Sequence, residues 1–585
     1  MNDTTTLSPS PPAAPSLLTR CLPVLGWAPH YRREWFRADM LAGVTVAAFC
    51  IPESMAYAGL AGLPPQAGLY ASLLAVFAYA LFGTSRQAAI GPTSALAILV
   101  ATGLAGLAHG NPARYMELAA LLAVMVGVIA IVARVMRLGF LVNFISESVL
   151  TGFSAGAAIY IGTTQLGKLF GIEGAKGEFI ERIMYIFNHL GTTNIWALGL
   201  GLGGIAFLLI TEKLAPRVPW ALVVVAVSIL LIMFTALGGQ GIKITGLIPN
   251  GLPPFKIPTF ALADIQLLLP SAFAVFLLSY VEGMGVVRTF AAKHKYPADA
   301  NQELLAVGAA NVLCGIGSAM PVGCSMSRSA VNDQAGAKTP FAGAISGILL
   351  GVIVLFFTGA FTNLPEPILA AVVLVAVKGL IDIPALKRLW RVSQKEFWIA
   401  LAAMFGVLAF GMLEGVMIGT VLSLLMLVWR ASNPSTVLLG RIPGTQLYSD
   451  LARHPHNESV PGVLVFRANA GLFYANVEKV KSDLMDAITA QMSPVKLVVF
   501  DLSSSPYSDV AAAEMLASLK EDLAGRGIAL KISNLTGEVR DLLRRDGLDK
   551  QFDIGPRVGV ESIIKEWLGN DDRSLTGSRK SVGPV

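Results

Sequence analysis

Apolar stretches of about 20 residues, long enough to cross a bilayer as helices, recur from about residue 40 to about residue 430. They start near 40, 67, 87, 115, 144, 193, 218, 266, 301, 325, 340, 365, 396 and 412, predicting about fourteen spans. Several are short or interrupted by Gly and Pro. Beyond about 435 the pattern changes. Short apolar runs at 463–466, 497–500 and 528–532 read as buried strands, alternating with amphipathic helical stretches near 476–490, 509–524 and 536–546. Such alternation over about 110 residues predicts a small α/β domain. The expected organisation is a disordered Ser/Thr/Pro-rich tail (1–16), a membrane domain (17–433), a linker (434–459), the α/β domain (460–568) and a second disordered tail (569–585).

Composition sharpens this. The 585 residues are 54% hydrophobic and 14% charged, with a mean hydropathy of +0.64; a soluble globular protein carries about 25% charged residues. The net charge of +6 lies in loops, so it argues topology rather than nucleic-acid binding. Arg32, Arg33 and Arg37 precede the first span, Arg134 and Arg137 follow the fourth, and Lys213 and Arg217 the sixth. Lys293 and Lys295 follow the eighth, Lys387, Arg388 and Arg391 the twelfth, and Arg430 ends the last. All share one side if both termini are cytoplasmic, which predicts a multi-pass plasma (bacterial inner) membrane protein with a cytoplasmic α/β domain. Residues 1–16 lack the basic and apolar regions of a cleaved signal. Cys21, Cys50, Cys314 and Cys324 show no metal-ligand spacing, so no metal or cofactor is expected.

The polar residues inside the apolar region mark the chemistry. Pro321-Val322-Gly323-Cys324-Ser325-Met326-Ser327-Arg328-Ser329 breaks the backbone and then offers capping hydroxyls and a cation in the first turn of a new helix. A helix that starts inside a membrane points unpaired N–H groups at the gap, and a small anion suits that gap. Gly91-Pro92-Thr93-Ser94 opens the third span in the same way. Glu53 follows Pro52 in the first span, and Glu282 lies beside Gly283 in the eighth. Matched interruptions of this kind signal an inverted-repeat transporter with a midplane site. A carboxyl at that depth pairs with a cation, binds one, or takes up a proton because burial penalises the charged form. Arg328 could instead be a static partner for Glu282, while Tyr57 and Gln165 are first read as packing residues.

The whole chain from about 18 to 568 resembles the SulP family of anion transporters (sulfate permeases), relatives of pendrin and prestin. The resemblance rests on Pro64-Pro65-Gln66-Ala67-Gly68-Leu69-Tyr70, Phe82-Gly83-Thr84-Ser85-Arg86, Gly91-Pro92-Thr93, Phe144-Ile145-Ser146, Gly152-Phe153 and Gln165-Leu166. Asn301-Gln302-Glu303-Leu304 through Asn311 and Ser327-Arg328-Ser329-Ala330-Val331-Asn332 complete it. It implies a seven-plus-seven inverted repeat with uracil-permease-like core and gate subdomains, an elevator-like motion and a homodimer. The anion would sit between two half-helix N-termini, at Pro92, Thr93 and Ser94 on one side and Ser325, Met326, Ser327 and Arg328 on the other, with Glu53 and Tyr57 alongside. The last domain resembles the family's STAS domain at Leu472-Phe473-Tyr474-Ala475-Asn476 and Asp501-Leu502-Ser503, which suggests a cytosolic protein partner. Stand-alone STAS proteins carry a phosphorylatable hydroxyl after the loop aspartate. Here the run is Asp509-Val510-Ala511-Ala512, so that switch is absent, leaving Ser505 and Ser508 as exposed candidates.

Sodium-coupled bicarbonate relatives carry a hydroxyl residue one turn after the acid at the Glu282 position. Here Val286 stands there and offers no ligand oxygen. Glu53 occupies a position where other relatives have a neutral glutamine. The expectation is proton-coupled sulfate uptake, Glu282 the main proton carrier and Glu53 assisting. C4-dicarboxylate transport, then bicarbonate transport, are the rivals, and a membrane sensor signalling through the STAS domain is the non-transport alternative. An intramembrane acid-pair protease would need two facing aspartates, so no enzyme is expected.

Overall fold

Proline and glycine set where the apolar runs start and stop. The computed structural model describes residues 21–143, 146–174, 179–214, 219–552 and 558–577. The expected 1–16 tail, Phe144, Ile145 and Arg217 lie outside the described residues. The chain divides into two compact units, 1–423 and 424–585.

Helices occupy every segment expected to hold a span. In order they are α1 (Arg33–Leu60), α2 (Pro65–Phe82), α3 (Ser94–Leu104), α4 (Pro112–Val135), α5 (Glu147–Phe170), α6 (Ile195–Leu214) and α7 (Trp220–Phe234). Then follow α8 (Leu262–His294), α9 (Ala300–Ile316), α10 (Met326–Gln334), α11 (Phe341–Phe356), α12 (Glu366–Lys378), α13 (Gln394–Phe410) and α14 (Met412–Ser432). Among the described residues, α1, α2, α4, α8 and the stretch from α12 to Val392 are long and apolar enough to cross a membrane by length and composition. At 11 and 9 residues, α3 and α10 are not. Each follows a three-residue strand, β1 (Ala89–Gly91) and β2 (Gly323–Ser325).

The helices pack in two groups. α4 and α2 lie on α9, and α1 on α2 and α11; in the other group α13 and α12 lie on α5, and α12 on α6. Helices in lipid associate through small residues that let backbones touch. Gly152 is such a residue, because a Cβ there would fall 1.9 Å from the Ala400 carbonyl oxygen of α13. Two short helices, Phe179–Asn188 and Ile383–Val392, were not foreseen. The second is too rich in Lys and Arg to register in a search for apolar runs.

The second unit is a five-stranded sheet. Its strands are β3 (Thr436–Arg441), β4 (Tyr448–Asp450), β5 (Val463–Ala468), β6 (Leu497–Asp501) and β7 (Ala529–Ser533), in the order β4-β3-β5-β6-β7. β5, β6 and β7 are parallel, joined by α15 (Val477–Thr489) and α16 (Val510–Ala524), as the alternation predicts. α17 (Gly537–Arg545) and α18 (Val560–Gly577) follow. The 434–459 stretch expected as a linker instead supplies two antiparallel strands, β3 pairing with both β4 and β5. The Thr436-Val437-Leu438-Leu439 run is a strand signal that the polar residues around it obscured. α18 likewise runs past 568 to Gly577, where the second tail was expected; residues 578–585 lie outside the described residues. Ser505 and Ser508, both expected to be exposed, are not: Ser505 is fully buried and donates to the Ala470 carbonyl at 2.8 Å, and Ser508 is half-buried with its hydroxyl shielded from solvent.

α18 is tied to the β3–β4 edge through Glu561. Its carboxylate accepts from the Tyr448 hydroxyl at 2.7 Å, with Lys565 at 3.3 Å and Arg441 at 3.6 Å. The tyrosine hydrogen bond, then Lys565, hold the Glu561 carboxyl below the usual carboxylate range. A depressed carboxyl stabilises the fold above its unfolded pKa, and that stabilisation is lost as pH falls through the folded value. Tyr448→Phe is therefore expected to destabilise the 424–585 unit by about 1 kcal/mol at neutral pH. In urea titrations the deficit should shrink once the pH drops below the ordinary glutamate range.

Candidate anion site

Two strands too short to form a sheet of their own make the centre of the first unit. β1 and β2 pair antiparallel, with Ala89 opposite Ser325, Ile90 opposite Cys324 and Gly91 opposite Gly323. α10 follows β2 directly and α3 starts after Pro92 and Thr93, so both helix starts lie within a few residues of a three-residue ladder about 10 Å long. Thr93 caps α3, its hydroxyl accepting from Leu96 N–H at 3.3 Å. Ser325 caps α10 in the same way, accepting from Arg328 N–H at 3.4 Å and bonding the Ser327 hydroxyl at 2.9 Å. Pro92, Thr93 and Ser94 are buried, whereas Met326 and Ser327 are exposed, so the start of α10 is the open face of the pair.

Arg328 turns away from that face. It is fully buried, its Nε 3.2 Å from Glu53 Oε2, and it donates to the Pro92 carbonyl. The other Glu53 oxygen accepts from the Tyr57 hydroxyl at 2.9 Å, one turn along α1. Tyr57 is thus part of the cluster rather than plain packing. Glu53, Tyr57, Pro92, Ser325, Ser327 and Arg328 form one connected set, with Thr93 and Ser94 adjoining through the start of α3. Pro52 precedes Glu53 and deprives α1 of one backbone hydrogen bond there.

Glu282 stands apart. It is half-buried on α8, and no hydrogen bond or ion pair reaches it among the described residues. α8 backs onto β2 through other residues: Ser279 donates to the Val322 carbonyl at 2.9 Å, and Gly283 lies against Cys324. The static Glu282–Arg328 pair considered from the sequence is therefore replaced by Glu53–Arg328. The guanidinium runs beneath β1 toward α1, with which α10 packs, and not toward α8. Gln165 lies on α5, in the other helix group, and bonds Thr164.

Several supporting residues were only motif letters in the sequence. Asn311 clamps the residue before β2, donating to the Val322 carbonyl at 3.0 Å and accepting from its N–H at 2.9 Å. Ser329 accepts from Ala89 N–H at 2.8 Å, and Asn332 donates to the Gln87 carbonyl at 3.0 Å. Glu303, buried, receives Thr84 N–H at 2.7 Å and the Tyr79 hydroxyl at 2.9 Å, fixing the turn that leads into β1. Their signal was there: uncharged amides and one acid inside apolar helices.

Two short helices that start beside a short strand pair, with a buried cation and capping hydroxyls, suit a membrane transporter of anions. The chain belongs to the sulfate permease family, which it matches over residues 36–403, and it matches the STAS domain over 454–560. It is 35% identical over 529 residues to a probable sulfate transporter of Mycobacterium tuberculosis, covering 89% of this chain and 94% of that protein. It is 33% identical over 568 residues to the chloroplastic sulfate transporter 4.1 of Arabidopsis thaliana, covering 93% and 80%. The fold is that of the murine solute carrier 26 family member A9 anion transporter in its inward-facing state, with a TM-score of 0.85 at 23% identity over 96% of each chain. The transmembrane domain of a cyanobacterial bicarbonate transporter superposes with a TM-score of 0.59 at 23% identity, over 68% of this chain and 98% of that one.

Two substitutions probe the ladder. A Cβ at Gly91 would fall 2.2 Å from Arg328 Nη1 and 3.2 Å from Ser72 Oγ, so Gly91→Ala must displace the guanidinium. Anion uptake by that variant is expected to fall at least ten-fold, a loss of about 1.4 kcal/mol or more in transition-state terms. Asn311→Ala orphans Val322 N–H, while the carbonyl keeps Ser279. It should lower stability in detergent by about 2 kcal/mol in a thermal-unfolding comparison.

Proposed function

We propose that the chain carries sulfate inward with protons, by an elevator-like displacement of the α1–α4/α8–α11 group against the α5–α7/α12–α14 group. The observation that carries this reading is the Glu53–Arg328 ion pair under the two helix starts. While Glu53 is ionised, the pair is neutral, and only the N–H groups and hydroxyls of α3 and α10 favour an anion. A proton on Glu53 leaves the Arg328 charge for the substrate. At about 5 Å and an effective dielectric of about 20, one uncompensated charge is worth about 3 kcal/mol. That makes proton and anion binding mutually reinforcing, as coupling requires.

The relatives named as sulfate transporters support sulfate as the substrate. Glu282 keeps its expected part as a proton carrier, since an unpaired carboxyl on the helix behind β2 can take a proton without breaking an ion pair. The family resemblance supports a homodimer, and the distribution of Lys and Arg between the spans supports a plasma-membrane location with cytoplasmic termini.

The test is labelled-sulfate uptake into proteoliposomes under an imposed proton gradient and then a sodium gradient. Protons alone should drive accumulation in the wild type, and neither Glu282→Gln nor Glu53→Gln should accumulate. Glu53→Gln, a permanent mimic of the protonated acid, should still bind sulfate, with an affinity that no longer weakens as pH rises. Uptake driven by sodium would overturn the coupling. Competition by fumarate or bicarbonate, but not by sulfate, would change the substrate. Failure of the purified protein to move any of these anions would leave the sensor reading.

A further inference from the structure

The short helix Ile383–Val392 joins α12 to α13 and takes no part in the site. Its start is well formed, with Asp382 as cap accepting from Ala385 N–H at 2.8 Å and Pro384 in the first turn. At 100° per residue its side chains divide cleanly. Lys387, Arg388 and Arg391 share one side, while Ile383, Leu386, Leu389 and Trp390 share the other. No residue of this helix is buried: Ile383 is 54%, Trp390 51% and Val392 75% exposed. The three cations are exposed as well, and none makes a hydrogen bond or ion pair among the described residues.

We propose that this helix lies in the bilayer surface and binds anionic phospholipid headgroups through Lys387, Arg388 and Arg391, its apolar side resting in the upper acyl region. Two arguments select lipid as the occupant. The helix is flanked on both sides by membrane helices, so its place is the interface itself, and α13 continues the same apolar surface with Trp398 60% and Phe405 58% exposed. Trp390 is packed edge-on against Phe397 at 4.9 Å, and Phe397 against Trp398 at 5.8 Å, giving the aromatic girdle that sits at headgroup level. A basic amphipathic helix in that position meets phosphate groups at fixed depth, with charge and apolar burial acting together. The helix also packs on α5 and α13, so a lipid bound there would restrain the group against which the site-bearing helices move.

The experiment uses the full-length protein in detergent and measures retention of phosphatidylglycerol against phosphatidylcholine by native mass spectrometry. The wild type should prefer phosphatidylglycerol, and Lys387→Gln/Arg388→Gln/Arg391→Gln should lose about a hundred-fold of that preference, three charges each worth roughly five-fold. Lys387→Arg should retain it. Single variants Lys387→Gln and Arg391→Gln, which leave most of the loop's charge for membrane insertion, should each lose about five-fold. Their size-exclusion profiles should match the wild type. An undiminished preference in the triple variant, or none in the wild type, overturns the proposal, as would full displacement of the lipid by millimolar inorganic phosphate. None of these readouts depends on which anion is transported.

Discussion

Everything at the centre of the membrane unit depends on one buried ion pair. Arg328 cannot face lipid or an empty cavity, so the chain surrounds it with Glu53, the Pro92 carbonyl and the Gly91 backbone. Breaking such a pair leaves an uncompensated buried charge, a loss of about 3–5 kcal/mol. The pair therefore binds α1 to α10 and β1 together, across parts of the chain nearly 300 residues apart. It also places a carboxyl beside the start of α10.

The ladder explains why so many polar residues sit within apolar helices. Three-residue strands have too few mutual hydrogen bonds to hold their own register. Side chains of α9 and α10 supply the rest: Asn311 and Ser329 bond strand-level backbone, Asn332 holds Gln87, and Glu303 holds the turn before β1. Each is costly to bury and bonds backbone at the strands or at the turn before them, the condition under which buried polar groups persist.

Much of this could be read from the chain, and the gaps have physical reasons. Hydropathy located the helical segments, and the strand–helix alternation located β5 to β7, because both signals are periodic and local. The capping roles of Thr93 and Ser325 followed from the breaker-then-hydroxyl pattern. The partner of Arg328 did not, because pairing in a membrane core depends on which helix lies behind the strand, and nothing local distinguishes Glu53 from Glu282. β3 and β4 were lost to a linker because their strand signal is short and flanked by Pro, Gly and charged residues. The helix at Ile383–Val392 was read only as topology-setting charge, since amphipathicity at an interface weakens the apolar signal used to find spans.

The two halves of the ladder have the same backbone and different chemistry. Thr93 and Ser325 hold equivalent capping positions, and in each helix the cap receives the N–H of the residue three places on. In α3 that residue is Leu96; in α10 it is Arg328. The two capped helix starts are alike, but only the α10 side carries an arginine, which is paired with Glu53. The symmetric part is the pair of capped helix starts on either side of the strand pair. The asymmetric part is the guanidinium, which makes the α10 side of the pair electrically distinct from the α3 side.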